Sequence, residues 1–146
     1  MNSSSRIKFS LPKILWEQIQ IHLQANLPEE ACGLIAGVKL PEIQEWRAQT
    51  VYPVENILHS PFRYQMDGHA QLAAFELIDQ ADQDLIAIFH SHPNGPTFPS
   101  DTDIKESYYS EIVHLICFQV NNQWQCRGYQ LIAGGFHEIN LILLEE

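Results

Sequence analysis

The chain has 146 residues, of which 45% are hydrophobic, and a formal net charge of −10 from eighteen acidic and eight basic residues. This length predicts one domain spanning residues 1–146, with a hydrophobic core of ordinary size. The acidic balance argues against a nucleic-acid partner, which would need clustered lysine and arginine, and against adsorption on a membrane of anionic lipid.

No targeting or membrane segment is recognisable in the sequence. The N-terminus lacks the apolar stretch of a signal peptide, and no run approaches the roughly 20 apolar residues of a membrane span. The three cysteines, Cys32, Cys117 and Cys126, form no Cys-x-x-Cys pair and lie in apolar surroundings. This pattern favours reduced, buried thiols, with packing as the expected role of Cys32. The protein is therefore predicted to be cytoplasmic.

The first half of the chain predicts two helices and three strands behind a frayed tail at residues 1–5. In order, these are a strand at Ile7–Phe9, a helix from Ser10 to about Asn26, a central strand from Ala31 to Gly37, a strand at Ile43–Val54 and a helix from Asp67 to about Gln80. Ser10 is expected to cap the first helix, with Pro12 in its first turn. Gly33 and Gly37 predict close packing of the central strand against a neighbour.

The second half predicts four strands and one short helix. In order, these are a buried strand at Leu85–Phe89, a helix from Ser100 to about Tyr109, a strand at Ile112–Val120, a return strand at Gln123–Tyr129 and a last strand at Phe136–Leu144. Asn121-Asn122 is typical of a hairpin turn, and Gly134-Gly135 is expected to turn the chain into the last strand. This order of elements predicts an α/β fold with a mixed sheet and helices on both faces.

Two histidines follow the buried strand at Leu85–Phe89. His90 and His92 are two residues apart, so an extended chain would place both side chains on one face. Zn–N bonds are about 2.0–2.1 Å long, and two imidazoles at this spacing can converge on one ion. Beyond His92, a loop containing three prolines turns the chain away from the sheet.

The segment Ser100-Asp101-Thr102-Asp103 is typical of a helix start. Ser100 fits the N-cap and Asp103 the N3 position, as in a capping box with Asp in place of Glu. If the loop folds this helix start back over the end of the strand, Asp103 becomes a candidate third ligand. Two histidines and one carboxylate leave the fourth tetrahedral position for water, which is the arrangement of a catalytic zinc site. Taken alone, Ser100 and Asp103 are more often helix caps, and an acid at the position of Glu30, just before a buried strand, is as often only a solvated strand edge.

The whole set resembles the JAMM (MPN+) family of zinc metalloproteases, in its compact stand-alone prokaryotic form. The family pattern is an upstream Glu, then His-Ser/Thr-His-Pro, a gap of seven residues and Ser-x-x-Asp. Here Glu30, His90-Ser91-His92-Pro93 and Ser100-x-x-Asp103 match it. The resemblance covers roughly Pro28 to Tyr129, including a segment at Pro61–Asp67 that is similar to the one before the second helix in those members. It implies the cytidine-deaminase-like fold, a mixed sheet flanked by helices.

The resemblance also implies a role for each matching residue. His90, His92 and Asp103 would be the ligands of one catalytic Zn²⁺, Glu30 the general base and Ser100 a donor to the oxyanion. Ser91 lies between the two histidines and points away from the metal, where it could form an outer-shell hydrogen bond.

Family members cut after the C-terminal Gly-Gly of ubiquitin or ubiquitin-like proteins, and the compact members are associated with ubiquitin-like sulfur-carrier proteins. The resemblance therefore implies a metallopeptidase acting on such a carrier, through a narrow groove that admits the Gly-Gly tail. Two alternatives stay open: an isopeptidase that removes a ubiquitin-like modifier from lysine, and a non-catalytic scaffold or binding module. A zinc deaminase would need a His/Cys-x-x-Cys ligand set, which the sequence lacks. The sequence leaves open whether a homodimer forms.

Overall fold

A computed structural model describes residues 6–101, 103, 111–132 and 135–145. The predicted tail at residues 1–5 and most of the predicted helix after Ser100 lie outside these residues. The elements are β1 (Lys8–Pro12), α1 (Lys13–Asn26), β2 (Cys32–Leu40), β3 (Glu45–Val54), α2 (Gly68–Gln80), β4 (Asp84–Ser91), β5 (Val113–Val120), β6 (Gln123–Ile132), β7 (Gly135–Glu138) and β8 (Asn140–Leu144).

The strands form one mixed sheet in the order β7-β6-β5-β4-β2-β3-β1-β8. Strand β4 pairs antiparallel with β2 and parallel with β5, so the end of β4 lies between two neighbours at the centre of the sheet. The consecutive strands β7 and β8 lie at opposite edges. At the residue between them, the Ile139 N–H donates to the Gly128 carbonyl of β6 at 2.9 Å. The two edges therefore approach each other, and the sheet is curved and nearly closed.

The two helices pack on opposite faces of this sheet, as the sequence predicted. Helix α1 buries Leu15 and Ile19 in a cluster with Ile35 of β2 and Phe89 of β4. Helix α2 buries Ala74 in a second cluster with the alternate residues of the same strands, which include Leu34 and Ile88. Strands covered on both faces are apolar throughout, which explains the continuous apolar runs of β2 and β4. The predicted fold class is confirmed.

The start of helix α1 differs from the prediction. Ser10 lies within β1, and Pro12 occupies the N-cap position without a side-chain cap. The buried Ser10 hydroxyl donates to Glu45 Oε2 at 2.7 Å, a partner 35 residues away. The prediction that Ser10 caps the helix is therefore wrong, because its hydroxyl bonds to Glu45 of the neighbouring strand β3 instead. Neither α1, with 14 residues, nor α2, with 13, is long enough to cross a bilayer, and no other described helix is.

The predicted last strand is two strands. The chain breaks at Ile139, whose side chain is 6% exposed and packs in the cluster beneath α1. β7 pairs with β6 whereas β8 pairs with β1, so one continuous strand could not form both pairings, which lie at opposite edges of the sheet. The predicted strand at Ile43–Val54 also begins later, since Pro41–Ile43 forms a 3-10 turn before β3.

Two local predictions are confirmed by the backbone. Asn121 and Asn122 both have positive φ, of 53° and 65°, which is the conformation a type I′ hairpin turn requires. A Cβ atom placed on Gly33 would overlap the Phe89 ring and lie 2.7 Å from the Tyr52 carbonyl oxygen. This close approach lets β2 fit against β4, the strand that leads to the histidines.

Candidate metal centre

The end of β4 brings the candidate residues together. Cys32 of β2 lies opposite His90 of β4 in the antiparallel pair. Since side chains alternate along a strand, Glu30 extends from the same face as His90, next to His92. The contacts between β2 and β4 continue one residue further, where the Ser91 N–H donates to the Ala31 carbonyl at 2.9 Å.

His90, His92 and Asp103 each direct one possible ligand atom into a single cluster, in which both histidines are buried and Asp103 is partly exposed. The two Nε2 atoms are 3.0 Å apart. Asp103 Oδ2 lies 3.1 Å from His92 Nε2, and Oδ1 lies 3.2 Å from His90 Nε2. Tetrahedral ligands with bonds of about 2.0–2.1 Å would be about 3.3 Å apart. The spacing and the two-imidazole, one-carboxylate composition therefore fit zinc.

The loop after β4 fixes the tautomer of His92. Its Nδ1 donates to the Pro96 carbonyl at 2.8 Å, so Nε2 is the nitrogen that faces Asp103; it donates to that carboxylate without a metal and offers its lone pair to a metal once deprotonated. The next residue of the loop is held by Tyr129, whose hydroxyl donates to the Thr97 carbonyl at 3.1 Å. These contacts orient one ligand before any ion binds.

Ser100 and Asp103 form the predicted reciprocal cap. The Asp103 N–H donates to Ser100 Oγ at 3.0 Å, and the Ser100 N–H donates to Asp103 Oδ2 at 2.8 Å. Because Ser100 Oγ acts as an acceptor here, its hydroxyl hydrogen is still available to a second partner. The same bonds hold the Asp103 carboxylate beside the two histidines.

Burial and mutual contacts set the charges of the cluster. Burial lowers the pKa of His90, against the opposing effect of Asp103. Burial also acts to lower the pKa of His92, but its bonds to Asp103 and Pro96 prevail and raise it. Burial acts to raise the pKa of Asp103, yet the bonds from both histidines hold it well below its usual range. Asp103 is thus a carboxylate, as a metal ligand must be.

Glu30 is a buried acid beside this cluster. The residue is 4% exposed, and Oε1 has no hydrogen-bond partner in the described structure. Burial raises the pKa of its carboxyl from 4.5 to about 8; His92 acts to lower it and Asp103 to raise it further. A carboxyl that titrates near neutral pH is suited to accept and return a proton.

Two contacts to the site were missed from the sequence. The Tyr64 ring stacks on His90, with ring centroids 4.6 Å apart and planes at 29°. Asn56, which is 4% exposed, donates from Nδ2 to the Glu30 carbonyl at 2.9 Å. Tyr64 lies in the Pro61–Asp67 segment, whose similarity to family members predicts no role at the site. Neither contact has a local sequence signal, since each joins residues 26 positions apart.

Other candidate side chains lie outside the cluster. Burial raises the pKa of the Cys32 thiol to about 12, with a further contribution from Glu30, so this cysteine is a packed thiol. His22 is bonded to the Cys32 carbonyl, and His59 lies between Glu29 and Glu55. Within the described residues, these histidines join no ligand group.

The raised pKa of Glu30 predicts a pH dependence of stability in the metal-free protein. The folded state binds the Glu30 proton more tightly than the unfolded state, so this contribution is complete below pH 4.5 and is lost as pH rises through about 8. One pKa unit corresponds to about 1.4 kcal/mol, so between pH 5 and 9 wild type should lose roughly 2–4 kcal/mol relative to Glu30→Gln. Denaturant unfolding in chelator measures this difference, and parallel pH profiles for the two proteins would contradict it.

The chain belongs to the Prok-JAB family, described as prokaryotic homologs of the JAB domain, which it matches over residues 12–128. This match confirms the resemblance to stand-alone prokaryotic JAMM proteins.

Three similar proteins illustrate the relationship. The CysO-cysteine peptidase of Mycobacterium tuberculosis is 29% identical over 126 residues, covering 86% of this chain and 84% of that one. A probable TtuB-protein conjugate cleaving protease of Thermus thermophilus is 37% identical over 98 residues, covering 66% of this chain and 62% of that one. The solution structure of a Desulfitobacterium hafniense protein has a TM-score of 0.85 at 29% identity and covers 94% of both chains.

Proposed function

We propose that the protein is a zinc-dependent metallopeptidase that hydrolyses the bond after the C-terminal Gly-Gly of a ubiquitin-like sulfur-carrier protein. One observation carries the proposal: His90, His92 and Asp103 form a largely buried ligand group beside an acid, Glu30, whose Oε1 has no partner in the described structure. The names of the Mycobacterium and Thermus relatives, a peptidase of CysO-cysteine and a protease of TtuB conjugates, support this substrate class.

His90, His92 and Asp103 would hold the metal. A bound zinc would lower the pKa of water from about 15.7 to about 7 and polarise the carbonyl of the scissile bond. Glu30 accepts the proton of the attacking water and returns it to the leaving amine, since one group can serve as base and then as acid. Ser100 donates its hydroxyl hydrogen to the oxygen of the scissile carbonyl as negative charge develops there.

A second candidate is an isopeptidase that removes a ubiquitin-like modifier from lysine. The name of the Thermus relative, which refers to protein conjugates, favours it. Both reactions break an amide bond after the same tail and would use the same side chains. They differ in the leaving amine, which is an α-amine in a peptide and a lysine ε-amine in a conjugate. Assaying both substrates at equal concentration separates them.

The Gly-Gly tail predicts a steric selectivity. A groove beside the metal that admits glycine but no side chain should cut a carrier ending in Gly-Gly much faster than one ending in Ala-Ala. We expect kcat/KM to fall by at least about 100-fold, as a misplaced scissile bond can lose that factor. Mass spectrometry of the products measures the ratio, and equal cutting of the two carriers would refute the narrow groove.

The sequence further predicts a single domain over residues 1–146 and a cytoplasmic location, and it is compatible with a homodimer.

A further inference from the structure

The dipeptide Glu30-Ala31 just before β2 has a partner for each of its four backbone polar groups. Two partners are main-chain groups: the Glu30 N–H donates to the Ser60 carbonyl at 2.8 Å, and the Ala31 carbonyl accepts from the Ser91 N–H at 2.9 Å. Two are side chains: Asn56 Nδ2 donates to the Glu30 carbonyl at 2.9 Å, and the Ala31 N–H donates to Ser91 Oγ at 2.8 Å.

The Ser91 hydroxyl accepts a hydrogen bond that a main-chain carbonyl would usually accept. Residues directly opposite each other in a narrow antiparallel pair usually exchange two N–H···O=C bonds. Ala31 and Ser91 form only one such main-chain bond, from the Ser91 N–H to the Ala31 carbonyl. The Ala31 N–H donates to the Ser91 hydroxyl instead. Ser91 is 0% exposed and lies between His90 and His92. One buried hydroxyl therefore connects the ligand-bearing strand to the residue next to Glu30.

Every hydrogen-bonding position of the Asn56 side-chain amide is occupied. Its Nδ2 donates to the carbonyls of Glu30 and Arg63, and its Oδ1 accepts from the N–H groups of Leu58 and Gln65. These four bonds use the whole capacity of an asparagine side chain. Asn56 therefore fixes the Glu30 carbonyl relative to the loop that carries Tyr64, the residue stacked on His90.

We propose that Ser91 and Asn56 are positioning residues that aim Glu30 at the reacting water; this inference rests on the proposed function. Glu30 Oε1 has no partner of its own in the described structure, so no bond to this oxygen fixes the carboxylate, and the backbone of Glu30 sets where its side chain begins. Ser91 and Asn56 supply the two side-chain bonds that hold this backbone. Neither side chain needs to touch substrate.

The first test is amide hydrogen exchange in the metal-free protein. Ser91→Ala should speed exchange of the Ala31 amide by at least about tenfold, because the buried N–H loses its acceptor and the local opening becomes easier. Ser91→Thr retains a hydroxyl and should restore protection. Ser10→Ala is the matched control, since it removes an equally buried hydroxyl bond, to Glu45, at another place in the sheet. It should leave the Ala31 amide protected.

The second test uses the zinc-loaded protein and a carrier extended beyond Gly-Gly. Ser91→Ala should lower kcat by about 10- to 100-fold with KM within about twofold, as expected for a displaced catalytic group. Its zinc content should equal that of wild type, and Ser91→Thr should recover most of kcat. Asn56→Asp, which retains the acceptor oxygen but loses the donor to Glu30, should behave like Ser91→Ala. Ser10→Ala should lower the Tm and leave kcat unchanged.

The outcomes separate this inference from the function on which it rests. If wild type cuts the carrier and both Ser91→Ala and Asn56→Asp match its kcat, the positioning role is overturned and the peptidase stands. If zinc-loaded wild type cuts neither a peptide nor an isopeptide after Gly-Gly, both proposals fall. If Ser91→Ala does not fold, Asn56→Asp decides alone.

Discussion

Glu30→Gln is expected to abolish most turnover while leaving the metal and the fold in place. The amide has nearly the shape of the carboxyl but cannot accept a proton from water. General acid–base groups typically contribute 10²–10⁴-fold, and kcat should fall by about that factor. KM should change little, because the expected ligands His90, His92 and Asp103 are untouched. Steady-state kinetics with the extended carrier, together with zinc analysis, measure both quantities.

The neighbouring glutamate provides a matched control. Glu29 is paired with His59 at 3.2 Å, away from the ligand group, and its side chain is 34% exposed. Glu29→Gln makes the same carboxyl-to-amide change one residue earlier and should retain wild-type kcat. Appreciable activity in Glu30→Gln would assign the proton transfer to another group. Equal losses in both variants would point to a general effect of charge.

Asp103→Ala is expected to remove the metal. Asp103 supplies the anionic atom of the ligand group, and its two oxygens each approach one histidine. Loss of an outer-shell partner alone typically costs 10–100-fold in metal affinity, so loss of a ligand should weaken zinc binding by more than about 100-fold. His90→Ala should have a similar effect. Chelator competition and metal analysis by mass spectrometry give the affinity and the stoichiometry.

An exposed histidine serves as the control for this experiment. His137 lies on β7 and is exposed, so His137→Ala should retain one zinc per chain. Full zinc occupancy in Asp103→Ala or His90→Ala would refute the ligand role of that residue. Partial occupancy that chelator removes easily would agree with a site that has lost one ligand.

Local sequence patterns predicted the parts of the site that depend on local geometry. The alternation of a strand places His90 and His92 on one side, and the cap of a helix start places Asp103 near Ser100. The structure brings these residues together. The ligand roles of these residues and the base role of Glu30 are proposals, which zinc binding and steady-state kinetics test.

The wrong predictions concern residues whose structure is set by contacts with residues far away in the sequence. Ser10 fits a local capping rule, but its pairing with Glu45 across two strands takes its hydroxyl. The chain from Phe136 to Leu144 resembles one strand, but burial of Ile139 divides it between two edges of the sheet. Asn56 and Tyr64 reach the site through a folded loop. Such contacts follow from the packing of the whole fold, and no short motif encodes them.

The most direct test of the hydrolase is the mass of the carrier after reaction. Zinc-loaded protein is mixed with a ubiquitin-like sulfur carrier extended by one residue beyond Gly-Gly, with Glu30→Gln as the blank. We expect the carrier to lose the mass of that one residue with wild type and to stay intact in the blank. A carrier that keeps its full mass with zinc-loaded wild type, or that is cut equally by Glu30→Gln, would contradict a peptidase that uses Glu30 as its base.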